Sequence, residues 1–142
     1  TVKTDKGYWM IQRSWQPGDT VSCEMEMEPE RVYAHPMVRA DAGCVALRRG
    51  PIIYTFEGVD NGEDLQTLRI PREAKIEALP YQADLLEGIV ALRVTGCRKK
   101  MAVNPALYAE DAAPEEVVTL QAIPYYAWCN RGMTHMRVWM QE

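Results

Sequence analysis

The chain has 142 residues, 47% of them hydrophobic and 25% charged, with 16 Lys and Arg against 20 Asp and Glu for a formal net charge of −4. That length suits one domain, which buries about two-thirds of the surface its unfolded chain exposes. The basic residues are scattered rather than striped, so there is no electrostatic footprint for nucleic acid, and no run reaches the roughly 18 apolar residues of a membrane-spanning helix.

The opening Thr1-Val2-Lys3-Thr4-Asp5-Lys6 lacks the apolar stretch of a signal peptide, and without an initial Met it reads as part of a longer parent whose N-terminus is not visible. Residues 8–15 and 20–28 then read as two strands joined at Gln16-Pro17-Gly18-Asp19, where Pro presets φ and Gly accepts a positive one. In the second strand Val21, Cys23, Met25 and Met27 share one face and Ser22, Glu24, Glu26 and Glu28 the other, which predicts that the first set is core. Residues 30–38, with His35-Pro36, lack alternation and read as a crossover between sheets.

Further strands are predicted over 45–48, 52–57, 65–70, 74–78, 89–95, 117–123 and 136–140, divided by Gly, Pro, Asn and Asp. Arg49-Gly50-Pro51 should turn one strand into the next, and Asp60-Asn61-Gly62 is a second turn. Residues 80–87 could form one short turn, and the polar, Pro-bounded 104–116 reads as a loop. Many short strands with turn signals between them predict an all-β, antiparallel two-sheet sandwich of jelly-roll type. Its core candidates are Val21, Cys23, Met25, Met27, Val45, Leu47, Ile53, Val90, Leu92, Val94, Val118 and Leu120. The chain reads as one module, 1–142, or as the end of one sandwich (about 1–36) followed by a second (about 37–142).

Cys23, Cys44, Cys97 and Cys129 stand apart, with no C-x-x-C pair and no His at zinc-ligand spacing. They are expected to be small packed thiols, which fits a reducing, cytoplasmic compartment. No nucleotide or calcium loop pattern is present, so no cofactor is expected here. Glycosidase chemistry needs two carboxylates about 5–10 Å apart in a cleft. Glu24, Glu26 and Glu28 have a suitable spacing but belong to a solvated strand face, and Glu57 with Asp60 at a strand end reads as a turn-stabilising or surface pair. His35 and His135 have no partner for a nucleophilic triad. No residue is assigned a catalytic role.

The densest aromatic passage is Ile123-Pro124-Tyr125-Tyr126-Ala127-Trp128-Cys129-Asn130-Arg131-Gly132. Read as a strand, it points Tyr126 and Trp128 one way and Tyr125 and Ala127 the other. Tyr125, Tyr126, Trp128, Asn130 and Arg131, together with Arg48 and Arg49, are therefore candidates for domain docking, with core packing and a sugar-stacking platform as the other uses of such rings.

Four phrases in order carry a resemblance: residues 7–15 with Gly18-Asp19, Ala34-His35-Pro36, residues 43–54 around Arg48-Arg49-Gly50-Pro51, and residues 123–132. Together with Met136-Arg137-Val138-Trp139 they resemble the C-terminal region of glycoside hydrolase family 127, the β-L-arabinofuranosidase-like enzymes. The resemblance implies a parent with a helical (α/α) barrel holding the active site, followed by β-sandwich domains. It places a zinc-held cysteine nucleophile and the acid/base glutamate in that upstream barrel, and none of those motifs occurs here. The expected role is thus a non-catalytic sandwich that docks on the barrel of its own chain. A homodimer through the same surface and an oligosaccharide are the other partners considered, and Cys129, where relatives should carry Ala, is expected to be packed.

Overall fold

The computed structural model describes residues 2–100 and 107–142, so part of the expected 104–116 loop lies outside the described residues. The chain is almost entirely β: β1 (Val2–Asp5), β2 (Tyr8–Ile11), β3 (Pro29–Val32), β4 (Cys44–Arg49), β5 (Ile52–Glu57), β6 (Leu68–Arg69), β7 (Ile76–Ala78), β8 (Leu92–Lys99), β9 (Glu115–Pro124), β10 (Met136–Arg137) and β11 (Met140–Gln141). One α-helical turn, α1 (Gly58–Asn61), follows β5, and 3-10 turns occupy Arg39–Asp41, Leu65–Thr67 and Tyr125–Ala127. No helix among the described residues is long and apolar enough to cross a membrane.

β1 and β2 form a two-stranded sheet, and the other strands follow the order β10-β5-β9-β8-β6-β11-β4-β3, with β7 on β8. β4 also pairs with β5 through Arg48↔Ile53 and Arg49↔Ile52, so this path bends back on itself and its strands stack as a sandwich. All pairings are antiparallel except β11 beside β6, where Gln141 lies opposite Arg69. The turn between β4 and β5 is the two-residue Gly50-Pro51, with Gly50 at φ 56° as the hairpin geometry demands. Pro51 precedes the first paired residue, so its missing N–H breaks no ladder bond.

The longest ladder, β8 with β9, shows why these sequences become strands. Leu92, Val94 and Gly96 face inward while Arg93 and Thr95 face water, and Leu120 and Ala122 meet Val94 and Leu92 across the ladder. Val45 and Leu47 from β4, Tyr54 and Phe56 from β5, and Met140 from β11 close the same cluster with Leu65, Leu68 and Ile70. Burying each large apolar side chain here contributes on the order of 1.5–3 kcal/mol. Gly96 has a separate reason: a Cβ there would sit 2.4 Å from Leu120 Cδ1 and 3.0 Å from the Arg69 carbonyl, because β6 crosses close to β8. A second, smaller cluster joins Ile89, Ala91, Ile123 and Ala127 to Leu79, Leu85 and Leu86.

Four expectations need correction. Residues 20–28 form no strand: Val21, Cys23 and Met25 are exposed, and Met27 alone is half-buried, its thioether lying over Gly50. The turn at Gln16–Asp19 does form, closed by the Asp19 amide on the Gln16 carbonyl at 3.0 Å, but the partner that β2 takes is β1. Lys6 (φ 48°) and Gly7 (φ 82°) supply a two-residue turn with both φ values positive, whose twist matches a hairpin. Alternation names the face that could be buried and not whether anything covers it. Within the expected crossover, residues 29–32 are strand β3 on β4, Glu30 facing Arg48. Ile53 is an outward-facing position of β5, and Val90 is only half-buried.

The C-terminal end is fastened by charge. Glu142 accepts hydrogen bonds from Tyr33 Oη at 2.7 Å, from Arg72 Nη2 at 2.6 Å and from Arg31 Nη1 at 3.5 Å. Arg72 first, then Tyr33, hold the Glu142 carboxyl below the ordinary Glu value, while Glu142 raises the Tyr33 hydroxyl. A folded-state value below the unfolded one means that the unfolded chain binds protons more readily, so this stabilisation is present at neutral pH and is lost as the pH falls through and below the usual carboxylate range. Glu142→Gln should therefore lose less stability than the parent chain on going from about pH 6 to about pH 3, as urea unfolding at each pH would read.

Candidate docking surface

The site is built where β5 ends. Glu57, its last residue, is fully buried yet ionisable, and such a group must be paired. Its Oε2 accepts from Arg131 Nη2 at 2.5 Å, and its Oε1 from the Cys129 amide at 2.6 Å. Arg131 Nη1 also reaches Asp60 Oδ1 at 2.8 Å, and Nη2 reaches Asp60 Oδ2 at 2.5 Å. The guanidinium thus bridges two carboxylates, as its planar fork allows and an ammonium does not. Asp60 first, and then Glu57, hold its pKa above the usual arginine value against the burial that pulls it down.

The turn between them is equally tied. Asn61 donates from Nδ2 to the Glu57 carbonyl at 2.9 Å and to the Gln121 carbonyl at 2.8 Å, and its Oδ1 accepts from the Gln121 amide at 2.9 Å. The side chain therefore joins α1 to β9. On the other side, the Gly58 amide donates to the His135 carbonyl at 2.8 Å and the Val59 amide to Thr134 Oγ1 at 3.1 Å. Asp60-Asn61-Gly62, expected to be a turn, is the end of a helical turn whose Asn is buried, and Gly62 at φ 82° ends it.

The aromatic passage sits on this frame. β9 stops at Pro124, opposite Tyr54, and the next three residues form a 3-10 turn, so the expected strand alternation through Tyr126 and Trp128 does not hold. Ala127 points into the second apolar cluster, and the large rings are left outside: Tyr125 is 45% exposed, Tyr126 66% and Trp128 36%. The Tyr125 and Trp128 rings stand 6.5 Å apart, tilted by 34°. Cys129 is exposed rather than packed, at φ 64°, because the chain must turn left-handed there to bring its amide onto Glu57. Cys23 is likewise exposed, and Cys44 and Cys97 are half-buried.

The remaining candidates divide. Tyr54 donates its hydroxyl to the Val90 carbonyl at 2.8 Å, and burial pushes its pKa up while Arg49 opposes. Arg49, half-buried at the end of β4, lies opposite Ile52 in the β4–β5 ladder. Asn130 is exposed, donates to the Ala127 carbonyl at 3.1 Å, and lines a cleft of about 390 Å³ with Leu86 and Glu87. Arg48 does not join them, being held by Glu30 across the β3–β4 ladder at 2.7 Å. Sequence reasoning missed Asn61 and Tyr54, whose importance lies in partners 60 and 36 residues away.

Chemically this arrangement holds a surface rigid. Glu57 and Asp60 share one arginine. Glu24, Glu26 and Glu28 are all exposed on an irregular segment. Among the described residues no group of three or more His, Cys, Asp or Glu comes together to hold a metal ion.

The profile of the glycoside hydrolase family 127 C-terminal domain matches residues 29–141. The chain belongs to that family. The family 127 chain is 37% identical over 132 residues to the non-reducing end β-L-arabinofuranosidase of Bifidobacterium longum subsp. longum, covering 88% of this chain and 20% of that protein. Its structure is similar to a family 127 β-L-arabinofuranosidase from Geobacillus stearothermophilus, with a TM-score of 0.78 and 48% identity over 82% of this chain and 18% of that one. A second family 127 β-arabinofuranosidase gives a TM-score of 0.69 at 32% identity, over 82% of this chain and 17% of that one. The chain therefore spans about one-fifth of the length of the relatives it matches.

Proposed function

We propose that this family 127 chain is a non-catalytic sandwich that docks on the (α/α) barrel catalytic domain of its own protein, a β-L-arabinofuranosidase-like hydrolase whose zinc and reacting groups belong to that barrel. The observation that carries the reading is the aromatic corner. Tyr125, Tyr126 and Trp128 are held outward on a frame fixed by a buried ion network. Exposed rings beside Arg, pre-organised rather than mobile, are what the centre of an interface favours.

Trp128→Ala should leave folding nearly unchanged, within about 1 kcal/mol, because its ring is outside both apolar clusters. It should weaken any self-association of the chain seen by sedimentation at several concentrations, since an uncovered apolar patch seeks a replacement partner. An aryl β-L-arabinofuranoside should not be turned over by this chain. Turnover abolished by Glu57→Gln or Asp60→Asn would overturn the reading. Calorimetry with arabino-oligosaccharides showing binding that Trp128→Ala removes would replace docking by sugar binding.

A further inference from the structure

The segment between β7 and β8 contains a turn that costs free energy to hold. Leu86 (φ 51°), Glu87 (φ 63°) and Gly88 (φ 106°) follow one another in left-handed conformation. Glycine takes such angles readily, whereas for Leu and Glu they are strained and persist only where the surroundings over-determine them. Here they do. Gln82 and Ile89 bridge through two backbone bonds of 2.8 and 3.2 Å, and the Gly88 amide donates to the Leu85 carbonyl at 2.9 Å. Leu85 and Leu86 pack on the Ile89, Ala91, Ile123 and Ala127 cluster, which leaves Glu87 turned outward into water.

The strained turn delivers Glu87 to a cleft. Leu86, Glu87 and Asn130 line a space of about 390 Å³, within the roughly 300–1,000 Å³ of small-ligand sites. Among the described residues nothing pairs with the Glu87 carboxylate, and Asn130 spends one amide N–H on the Ala127 carbonyl, leaving Oδ1 and the second N–H unengaged. The Tyr81 ring lies over Gly88, where a Cβ would collide with its hydroxyl, and is 64% exposed, so an aromatic face stands at the same turn. Arg131, the sequence neighbour of Asn130, is occupied by Glu57 and Asp60. These groups select a ligand. The cleft holds no cation for a phosphate or carboxylate, and its one carboxylate is too few for a hard metal ion that takes about six to eight oxygens. A sugar suits all of them: hydroxyl hydrogens go to Glu87 and Asn130 Oδ1, hydroxyl oxygens accept from Asn130 Nδ2 and Tyr81 Oη, and a C–H face lies on Leu86 and the Tyr81 ring. We infer that the cleft of Leu86, Glu87 and Asn130 binds one monosaccharide unit through neighbouring hydroxyls. The rings of Tyr125 and Trp128 do not line it. The choice of an arabinoside as its ligand rests on the proposed β-L-arabinofuranosidase-like parent; the cleft itself does not.

An amide-resolved NMR titration of the chain with methyl β-L-arabinofuranoside, and separately with D-glucose, tests this. The amides of Glu87, Gly88 and Asn130 should shift and saturate with a Kd on the order of 1–10 mM, while the β8–β9 ladder stays still. Glu87→Ala should weaken binding by about tenfold or more, and Trp128→Ala should leave it unchanged whether or not docking at that ring is correct. Glu87→Gly separates a ligand-binding role from a structural one. Glycine accepts the left-handed angle, so this variant should unfold at a urea concentration equal to or above that of the parent and still lose the sugar. Saturable binding of glucose alone would keep the cleft and remove the arabinoside as its ligand. The inference is overturned by the lack of any saturable shift up to about 100 mM of either sugar, by shifts centred on Trp128, or by a Glu87→Gly variant that unfolds more easily than the parent.

Discussion

Arg131→Ala is expected to lower the unfolding free energy by about 3 kcal/mol, the lower end of what removing one partner of a buried ion pair costs. Glu57 is fully buried and loses its cation, while Asp60 keeps some water, and the arginine is itself 21% exposed, which tempers the loss. Urea unfolding of the single variants, read with the double variant Glu57→Gln with Arg131→Met, separates two origins of the effect. If the pair matters through the stranded charge, the double variant should recover most of what Arg131→Ala loses. Arg131→Lys should fall between the parent and Arg131→Ala, because a single ammonium cannot serve both carboxylates as the fork does. A stability change below about 1 kcal/mol for Arg131→Ala would mean that the network is solvated and does not hold the aromatic corner.

Asn61→Ala should cost roughly 2–4 kcal/mol, since it strands the Gln121 amide and carbonyl and the Glu57 carbonyl at once, each worth about 1–3 kcal/mol when buried without a partner. Asp is the informative second variant. It keeps the acceptor for the Gln121 amide at 2.9 Å but presents oxygen where Nδ2 now donates to two carbonyls. Asn61→Asp should therefore be no better than Ala. Thermal unfolding of both variants decides it, and an Asp variant as stable as the parent would show that the turn is held by its backbone instead.

The strands of the sandwich were legible because their cause is local. In β4, β5, β8 and β9 the period-two pattern and the Gly and Pro turns coincide with what is buried: Val45, Leu47, Leu92, Val94 and Leu120 are all core. The family was legible for a related reason, since the phrases that carried the resemblance include the β4–β5 hairpin and the corner around Arg131. The same pattern misled at residues 20–28, where alternation is as clean as in β8 and every side chain but that of Met27 is exposed. A strand needs a partner edge and a covered face, and the 20–28 segment has neither.

What the sequence by itself determined is therefore the all-β sandwich class, most of its strands and turns, and membership of glycoside hydrolase family 127. Each follows from short-range spacing or from phrases a few residues long. What only the tertiary structure decided is which residues of the aromatic passage are free and what holds them there. The 3-10 turn at Tyr125–Ala127 buries Ala127 and frees Tyr126, Arg131 finds Glu57 and Asp60 more than 70 residues away, and Asn61 finds Gln121 60 residues away. A buried charge takes whichever partner the folded chain brings within reach, and that pairing is set by the packing of β5 against β9 rather than by any spacing along the sequence.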